Sequence, residues 1–239
     1  DTLTCNEFML NTYQTSFENN SDNNNWSSQS DAGANEWMVY DDVEHARTGN
    51  NYFGIRTDGA NSNNQNDDWL FSGCHYLEAG KCYEFRFWYR SLFSYENLTL
   101  KIGNSPDADS METELYDDPD FYSNSYLEAE VLISVETTGA FFFGFHTDGG
   151  SANRYYVMID DLEIKESDAS PSVDITPHVL DREVLFETDA ENVTDYYWEF
   201  GDGNTSDEQS PSHVYEANGI YNVSLDASSL CGMLEETLT

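Results

Sequence analysis

Positive charge is scarce in this sequence. Of 239 residues only 9 are Lys or Arg, against 46 Asp or Glu, and the formal net charge is -37. A protein that binds nucleic acid or an anionic membrane surface displaces counterions with Lys and Arg, so neither partner is expected. No apolar run approaches the roughly 18 residues of a spanning helix, so membrane insertion is not expected either. Sequence signatures of catalysis are missing too: there is no G-x-S-x-G, H-E-x-x-H, phosphate loop or dinucleotide fingerprint. The five histidines are scattered, and with so many acids a pair of carboxylates identifies no general acid or base. An enzyme is not expected. The chain has no initiator Met and no basic-then-apolar leader, which points to a processed or excised piece.

What is present can build a core. Hydrophobic residues make up 38% and aromatic residues 15% of the chain, enough to offset the disorder that acidity alone suggests. Period-two alternation runs through Tyr83-Glu84-Phe85-Arg86-Phe87-Trp88-Tyr89, Leu98-Thr99-Leu100-Lys101-Ile102 and Tyr221-Asn222-Val223-Ser224-Leu225. Residues 140–145 and 155–159 read as more buried strands. No window carries an apolar stripe at helical spacing. Asn, Asp and Ser fill the intervals, notably 19–25 and 61–68, as loops do because these side chains bond their own backbone. The pattern predicts an all-β protein of sandwich architecture. A polar, Pro-marked stretch at Glu166-Ser167-Asp168-Ala169-Ser170-Pro171-Ser172 separates two domains, 1–166 and 167–239, and beyond it Arg182 is the one Lys or Arg.

Cysteine is sparse, with 4 residues. Cys74 and Cys82 flank the turn-like Glu78-Ala79-Gly80, and a disulfide between them is expected, two buried thiols being the alternative. Cys5 and Cys231 are left to pair with neighbouring repeats or with nothing. No spacing suggests zinc, and the expected compartment is oxidising and extracellular. Asp1-Thr2-Leu3-Thr4 at the start resembles Glu236-Thr237-Leu238-Thr239 at the end, as in one unit of a tandem array. Phe53-Gly54-Ile55-Arg56-Thr57-Asp58-Gly59 is echoed by Phe143-Gly144-Phe145-His146-Thr147-Asp148-Gly149, through duplication or convergent turn chemistry.

The second domain resembles the PKD domain, a small immunoglobulin-like sandwich. The residues that carry the resemblance are Tyr197-Trp198-Glu199-Phe200-Gly201-Asp202-Gly203, Ser210-Pro211-Ser212-His213-Val214-Tyr215 and Gly219-Ile220-Tyr221-Asn222-Val223. The resemblance implies a spacer or surface-adhesion module. Trp198 and Phe200 share a strand face, and Asp202 can close the glycine-rich turn. The first domain is similar to the cleaved-adhesin and choice-of-anchor J group, MAM-like jelly rolls of secreted and surface proteins of Bacteroidetes. Its carriers are Phe17-Glu18, Trp26, Trp37, Gly49-Asn50-Asn51-Tyr52-Phe53, Asp67-Asp68-Trp69-Leu70, residues 77–85, Gly103-Asn104-Ser105-Pro106 and Ile159-Asp160-Asp161-Leu162-Glu163-Ile164. The expectation is a jelly-roll β-sandwich followed by a PKD sandwich.

That resemblance implies a structural calcium between the first and last strands. Glu18, Asp160, Asp161 and a carbonyl near Asn20 occupy the matching positions, with Asp42 as a supplement, although solvated acids are the alternative. Strand alternation requires only one of Asp160 and Asp161 to point inward. For a polysaccharide or cell-surface glycan, Asn61, Asn63, Tyr122 and Tyr126 supply amides and aromatic faces; Trp26, Trp37, Trp69 and Trp88 read first as buried, and Trp26 is the ligand candidate if any tryptophan is exposed. The function expected is a non-catalytic, extracellular adhesion or glycan-binding module of a larger secreted or surface protein. The alternatives are a structural repeat or filament subunit that assembles through edge strands with neighbouring copies, and an accessory module of a secreted hydrolase.

Overall fold

The computed structural model describes residues 12–30, 36–56, 67–148 and 156–239. The chain forms two compact units, one of residues 1–79, 83–131 and 135–166, the other of residues 80–82, 132–134 and 167–239. Both are nearly all β. The first carries β1 (Thr12–Thr15), the one-turn helix α1 (Asn20–Asn23), β2 (Ser27–Ser30), β3 (Met38–Asp41), β4 (Asn51–Arg56), β5 (Asp67–Phe71) and β6 (His75–Leu77). It continues with β7 (Cys82–Ser91), β8 (Glu96–Gly103), β9 (Thr113–Phe121), β10 (Leu127–Ser134), β11 (Gly139–Asp148) and β12 (Tyr156–Glu166). Two six-stranded sheets result, which we call the front and back sheets. The front sheet runs β10-β7-β12-β4-β3, with β1 beside β12; the back sheet runs β2-β5-β11-β8-β9, with β6 beside β11.

Alternation in the sequence becomes alternation in burial. Along β7 and β8 every second side chain is buried, so Phe85, Phe87, Leu98 and Leu100 meet between the sheets. Phe85 packs on Phe143 at 4.5 Å and Phe87 on Phe145 at 5.0 Å between ring centroids. Trp26, the ligand candidate if any tryptophan were exposed, is core. It is 8% exposed and its ring lies 5.6 Å from Phe17 and 5.7 Å from Phe53. A polar neighbourhood in sequence did not keep so large an apolar surface in water.

The expected Cys74–Cys82 disulfide is absent. Cys82 bonds Cys231, 149 residues away, with 5.1 Å between their Cα atoms, and Cys74 is also disulfide-bonded. Topology explains the correction. The residues between Cys74 and Cys82 carry the chain from β6, which pairs with β11 in the back sheet, to β7, which pairs with β12 in the front sheet. Packed sheets lie about 10 Å apart, beyond the span of a disulfide. Cys5 lies outside the described residues.

The second unit contains β13 (Ser172–Leu180), β14 (Glu183–Glu191), β15 (Asp195–Glu199), β16 (Thr205–Ser206), β17 (Ser212–Val214), β18 (Val223–Ser229) and β19 (Gly232–Leu238). They form sheets β13-β14-β17 and β16-β15-β18-β19. Phe186, Trp198, Phe200, Tyr215, Val223, Leu225 and Ala227 fill the space between. The Trp198 indole N–H donates to the Glu208 carbonyl (3.0 Å), so its burial leaves no polar atom unmet. Asp202 closes its turn by accepting from the Asn204 N–H (3.0 Å) and holds His213 at 2.8 Å. Gly201 has φ +76°, and a side chain there would run into the Asn222 carbonyl, so the glycine meets both constraints.

One core residue titrates. His75, 3% exposed, lies edge-on to Tyr13 and Phe143, each 5.2 Å away. Burial holds its pKa down at about 3, because the charged imidazolium loses its hydration. Since the folded value lies below the unfolded value near 6.5, the neutral histidine keeps its full stability above pH 6.5. That stability is lost as pH falls from there toward 3. Between pH 7.5 and 5.5 the wild type is expected to lose about 1.4 kcal/mol more than His75→Phe, from linkage alone. Urea unfolding of both proteins at the two pH values checks this, and parallel losses would contradict it.

Candidate binding site

The connection between β3 and β4 is held down by three acids from two distant parts of the chain. Glu18, just after β1, accepts the backbone N–H groups of Asn50 (2.7 Å) and Asn51 (2.6 Å) through one oxygen. Asp160 on β12 accepts those of Arg47 (2.7 Å) and Thr48 (3.3 Å), and also that of Asp161 (2.8 Å). Asp161 takes the Arg47 guanidinium at 2.6 Å and the Thr48 hydroxyl at 2.6 Å. Arg47 at the same time lies 3.9 Å above the Trp88 ring, a cation–π contact.

Both aspartates reach this one segment because β12 is irregular there. The register against β7 shifts between Asp160 and Leu162, and Asp161 has φ +44°. An extra residue in a strand redirects its side chain, and Asp tolerates left-handed backbone better than most residues. The alternation that would have sent the two carboxylates to opposite faces is broken. Asp160 is fully buried, and its pKa is pushed up to about 7, first by burial and then by the Asp161 charge.

The remaining expected ligands stand apart from this convergence. Asp42 sits at the foot of the connection, where its carboxylate takes His45 Nδ1 at 2.6 Å, a bond that holds its pKa below the usual range. The Asn20 carbonyl accepts the Asn24 N–H (3.2 Å) inside α1. The Phe17 carbonyl instead faces the region, accepting from the Asn23 and Asn51 amides at 2.8 and 3.2 Å.

A second feature lies at the end of the front sheet where β7 turns into β8. Phe93 is 77% exposed, Tyr95 59% and Tyr122 47%, and the Tyr95 and Tyr122 rings lie 5.5 Å apart. The β7–β8 and β9–β10 connections that carry them are clamped together. The Ser91 N–H donates to the Ser123 carbonyl (3.2 Å), and the Ser123 N–H donates to Ser91 Oγ (3.1 Å). The buried Glu96 carboxylate accepts the Ser94 hydroxyl (2.6 Å) and the Tyr156 N–H (3.2 Å), which fixes the turn beneath the rings. The Asn124 amide donates to the Tyr122 hydroxyl at 3.3 Å.

Of the expected sugar-contacting residues, Tyr122 belongs to this platform. Tyr126 lies in the same connection but turns inward. Its hydroxyl donates to the His45 carbonyl (3.2 Å), and burial pushes its phenol pKa up. Tyr126 thereby joins the platform to the acid-held connection. Asn61 and Asn63 lie outside the described residues. Phe93 and Tyr95 went unnoticed in the sequence because Ser91-Leu92-Phe93-Ser94-Tyr95 continues the alternation of β7, where rings are read as core. Among the described residues no three His, Cys, Asp or Glu side chains gather as a metal-binding group.

Residues 168–239 match the PKD-domain family model. The K1 cleaved adhesin domain of Lys-gingipain from Porphyromonas gingivalis W83 is similar in structure, with a TM-score of 0.50 and 15% identity over 65% of this chain and 98% of that one. The CBM22-1 xylan-binding domain of Xyn10C from Paenibacillus barcinonensis gives a TM-score of 0.45 and 13% identity, covering 66% and 95%. Collagenase ColA of Bacillus cereus is 29% identical over 99 residues, 38% of this chain. The chain spans 10% of that relative's length. The first unit thus shares the β-sandwich fold of the cleaved adhesin domain, and residues 168–239 are similar to PKD domains.

Gly49 tests the geometry of the acid-held connection. Its φ is +61°, and a Cβ there would overlap the Glu18 carboxylate. Gly49→Ala is expected to cost about 2 kcal/mol, from the disfavoured backbone and the displaced hydrogen bonds together. Gly139→Ala, where a Cβ meets nothing within 4 Å, is expected to be neutral or slightly stabilising. Urea unfolding of the two variants makes the comparison.

Proposed function

We propose that the first unit is a non-catalytic glycan-binding module with an adhesive role in an extracellular protein, and that the second unit serves it as a spacer. The observation that carries this reading is the exposed ring trio Phe93, Tyr95 and Tyr122. A soluble domain gains nothing by holding three aromatic rings in water unless a ligand covers them. Ring faces stack on the C–H faces of sugars, and the surrounding amides and hydroxyls bond their hydroxyl groups. The clustered carboxylates fit no catalytic role, since each is committed to backbone, guanidinium or hydroxyl donors. Membership of the first unit in the cleaved-adhesin and choice-of-anchor J group belongs to the same reading.

The test is a broad polysaccharide panel probed with the whole chain. Tyr95→Ala and Tyr122→Ala are each expected to weaken binding about fivefold to tenfold, as for the loss of one aromatic contact. Both side chains are exposed, so the fold should survive. Silence across the panel, or unchanged binding by the double variant, would reject the reading.

Calcium is the second element of the proposal. Glu18 and Asp161 would supply carboxylate oxygens and Phe17 a carbonyl oxygen, with Asp160 in support, and most of the shell would come from backbone and water. The ion would neutralise acids that the chain's few cations leave uncompensated. Supporting this fit, Asp160 and Asp161 are neighbouring carboxylates drawn to one segment, and the charge of Asp161 raises the pKa of Asp160. Millimolar calcium is expected to raise the melting temperature by several degrees over chelator-treated protein. Asp161→Asn should abolish the difference, and an unchanged melt would remove calcium from the account.

A further inference from the structure

Arg90 stands apart from four of the other basic residues. In a chain with 46 acids, Arg47, Arg86, Lys101 and Lys165 each hold at least one carboxylate. No carboxylate among the described residues pairs with Arg90. Its Nε is buried without a hydrogen-bond partner, and its guanidinium lies 5.2 Å over the Tyr126 ring. A buried, unmet donor costs about 1–3 kcal/mol. Acids abound in the sequence, yet the group that this cation rests on is an aromatic ring.

The register places Arg90 on a definite surface. Arg90 pairs with Met158, Met158 with Gly54, and Gly54 with Met38, which makes one row across four strands on the outer face of the front sheet. The row on one side holds Arg56 and Tyr156, and in the row on the other side Tyr40 stacks on Tyr52 at 5.5 Å. Met158 is 1% and Leu92 9% exposed, so the cation stands at the margin of a largely dry patch, where a charge-assisted bond is stronger than in open water. Three residues further along the chain is Phe93, and Tyr126 shares its connection with Tyr122. The unmet cation and the ring platform therefore sit on the same two clamped connections.

We infer that Arg90 is a carboxylate-recognising residue and that the glycan bound by this module carries uronic acid. The inference rests on the platform being a glycan site. Sugar rings cover Phe93, Tyr95 and Tyr122, and a uronate carboxylate accepts one N–H from each of the two terminal amino nitrogens of Arg90 side by side, the buried Nε staying out of reach. That edge of the guanidinium is a planar fork matched to a planar carboxylate, which favours carboxylate over the tetrahedral sulfate ester. At 0.15 M salt the repulsion between the acidic protein and an acidic polymer is screened beyond about 8 Å, while the direct contact is not.

The experiment measures affinity of the whole chain for oligosaccharides of polygalacturonate, alginate and glucuronate-bearing xylan. Each is paired with its carboxyl-reduced counterpart, and a sulfated neutral glycan is included. At least one uronate is expected to bind tenfold or more tightly than its reduced form. Arg90→Gln should erase that preference with the melting temperature kept near wild type, and Arg90→Lys, which keeps the charge but loses the fork, should retain only part of it. Equal binding of every uronate and its reduced form, or a preference that survives Arg90→Gln, would overturn the inference and leave the platform reading intact. Tighter binding of the sulfated glycan than of any uronate would overturn the carboxylate assignment. If no glycan of any kind binds, the platform reading fails with it.

Discussion

The structure depends on carboxylates finding donors in a chain that has few cations to offer. The solution seen repeatedly is the backbone amide. Glu18 binds the N–H groups of Asn50 and Asn51, Asp160 those of Arg47, Thr48 and Asp161, Asp107 that of Ser110, and Asp202 that of Asn204. A carboxylate that accepts two or three N–H groups keeps strong hydrogen bonds without a counter-ion. Irregular connections supply such amides freely, since strands spend theirs on neighbours. Acidity and long loops in this protein are therefore two sides of one arrangement, in which the acids order the loops and the loops solvate the acids.

Strands and core were legible in the sequence. The alternation at 83–89 and 98–102 gives β7 and β8 with the inward residues as read, and the Trp198 and Phe200 pair fills the second core. Chain order does not reveal which sheet a strand joins, and the disulfide expectation failed there. The turn between Cys74 and Cys82 looks like a hairpin locally but crosses between sheets. Trp26 drew attention as a ligand candidate through its Asn and Ser neighbours, although its volume decides its place in the core. The acids at 18, 160 and 161 were legible as a group through resemblance to a family. Their true partners were not, because Asn50 and Asn51 lie 32 and 33 residues from Glu18, and Arg47 and Thr48 lie 113 residues from the aspartates they meet. Arg90 could not be singled out at all, since what distinguishes it is the absence of a carboxylate partner among the described residues.

Three sheet edges carry residues that oppose pairing with another strand. β13, an edge strand of the second unit, contains Pro177, which has no N–H to offer a neighbour. β19 carries Glu235 and Glu236 along its edge, and β9 carries Glu114, Asp117, Asp118 and Asp120. Charged and Pro-bearing edges oppose strand addition, so assembly through these three edges would have to overcome repulsion at each of them.

The bond between Cys82 and Cys231 makes most of the sequence a closed covalent ring. A single peptide-bond cleavage anywhere from residue 83 to residue 230 opens that ring but releases no fragment. The pieces stay one molecule until a reductant or a second cut separates them. For a protein exposed to proteases, nicking of a loop is then survivable, and the nicked chain travels as a single species until its disulfides are reduced.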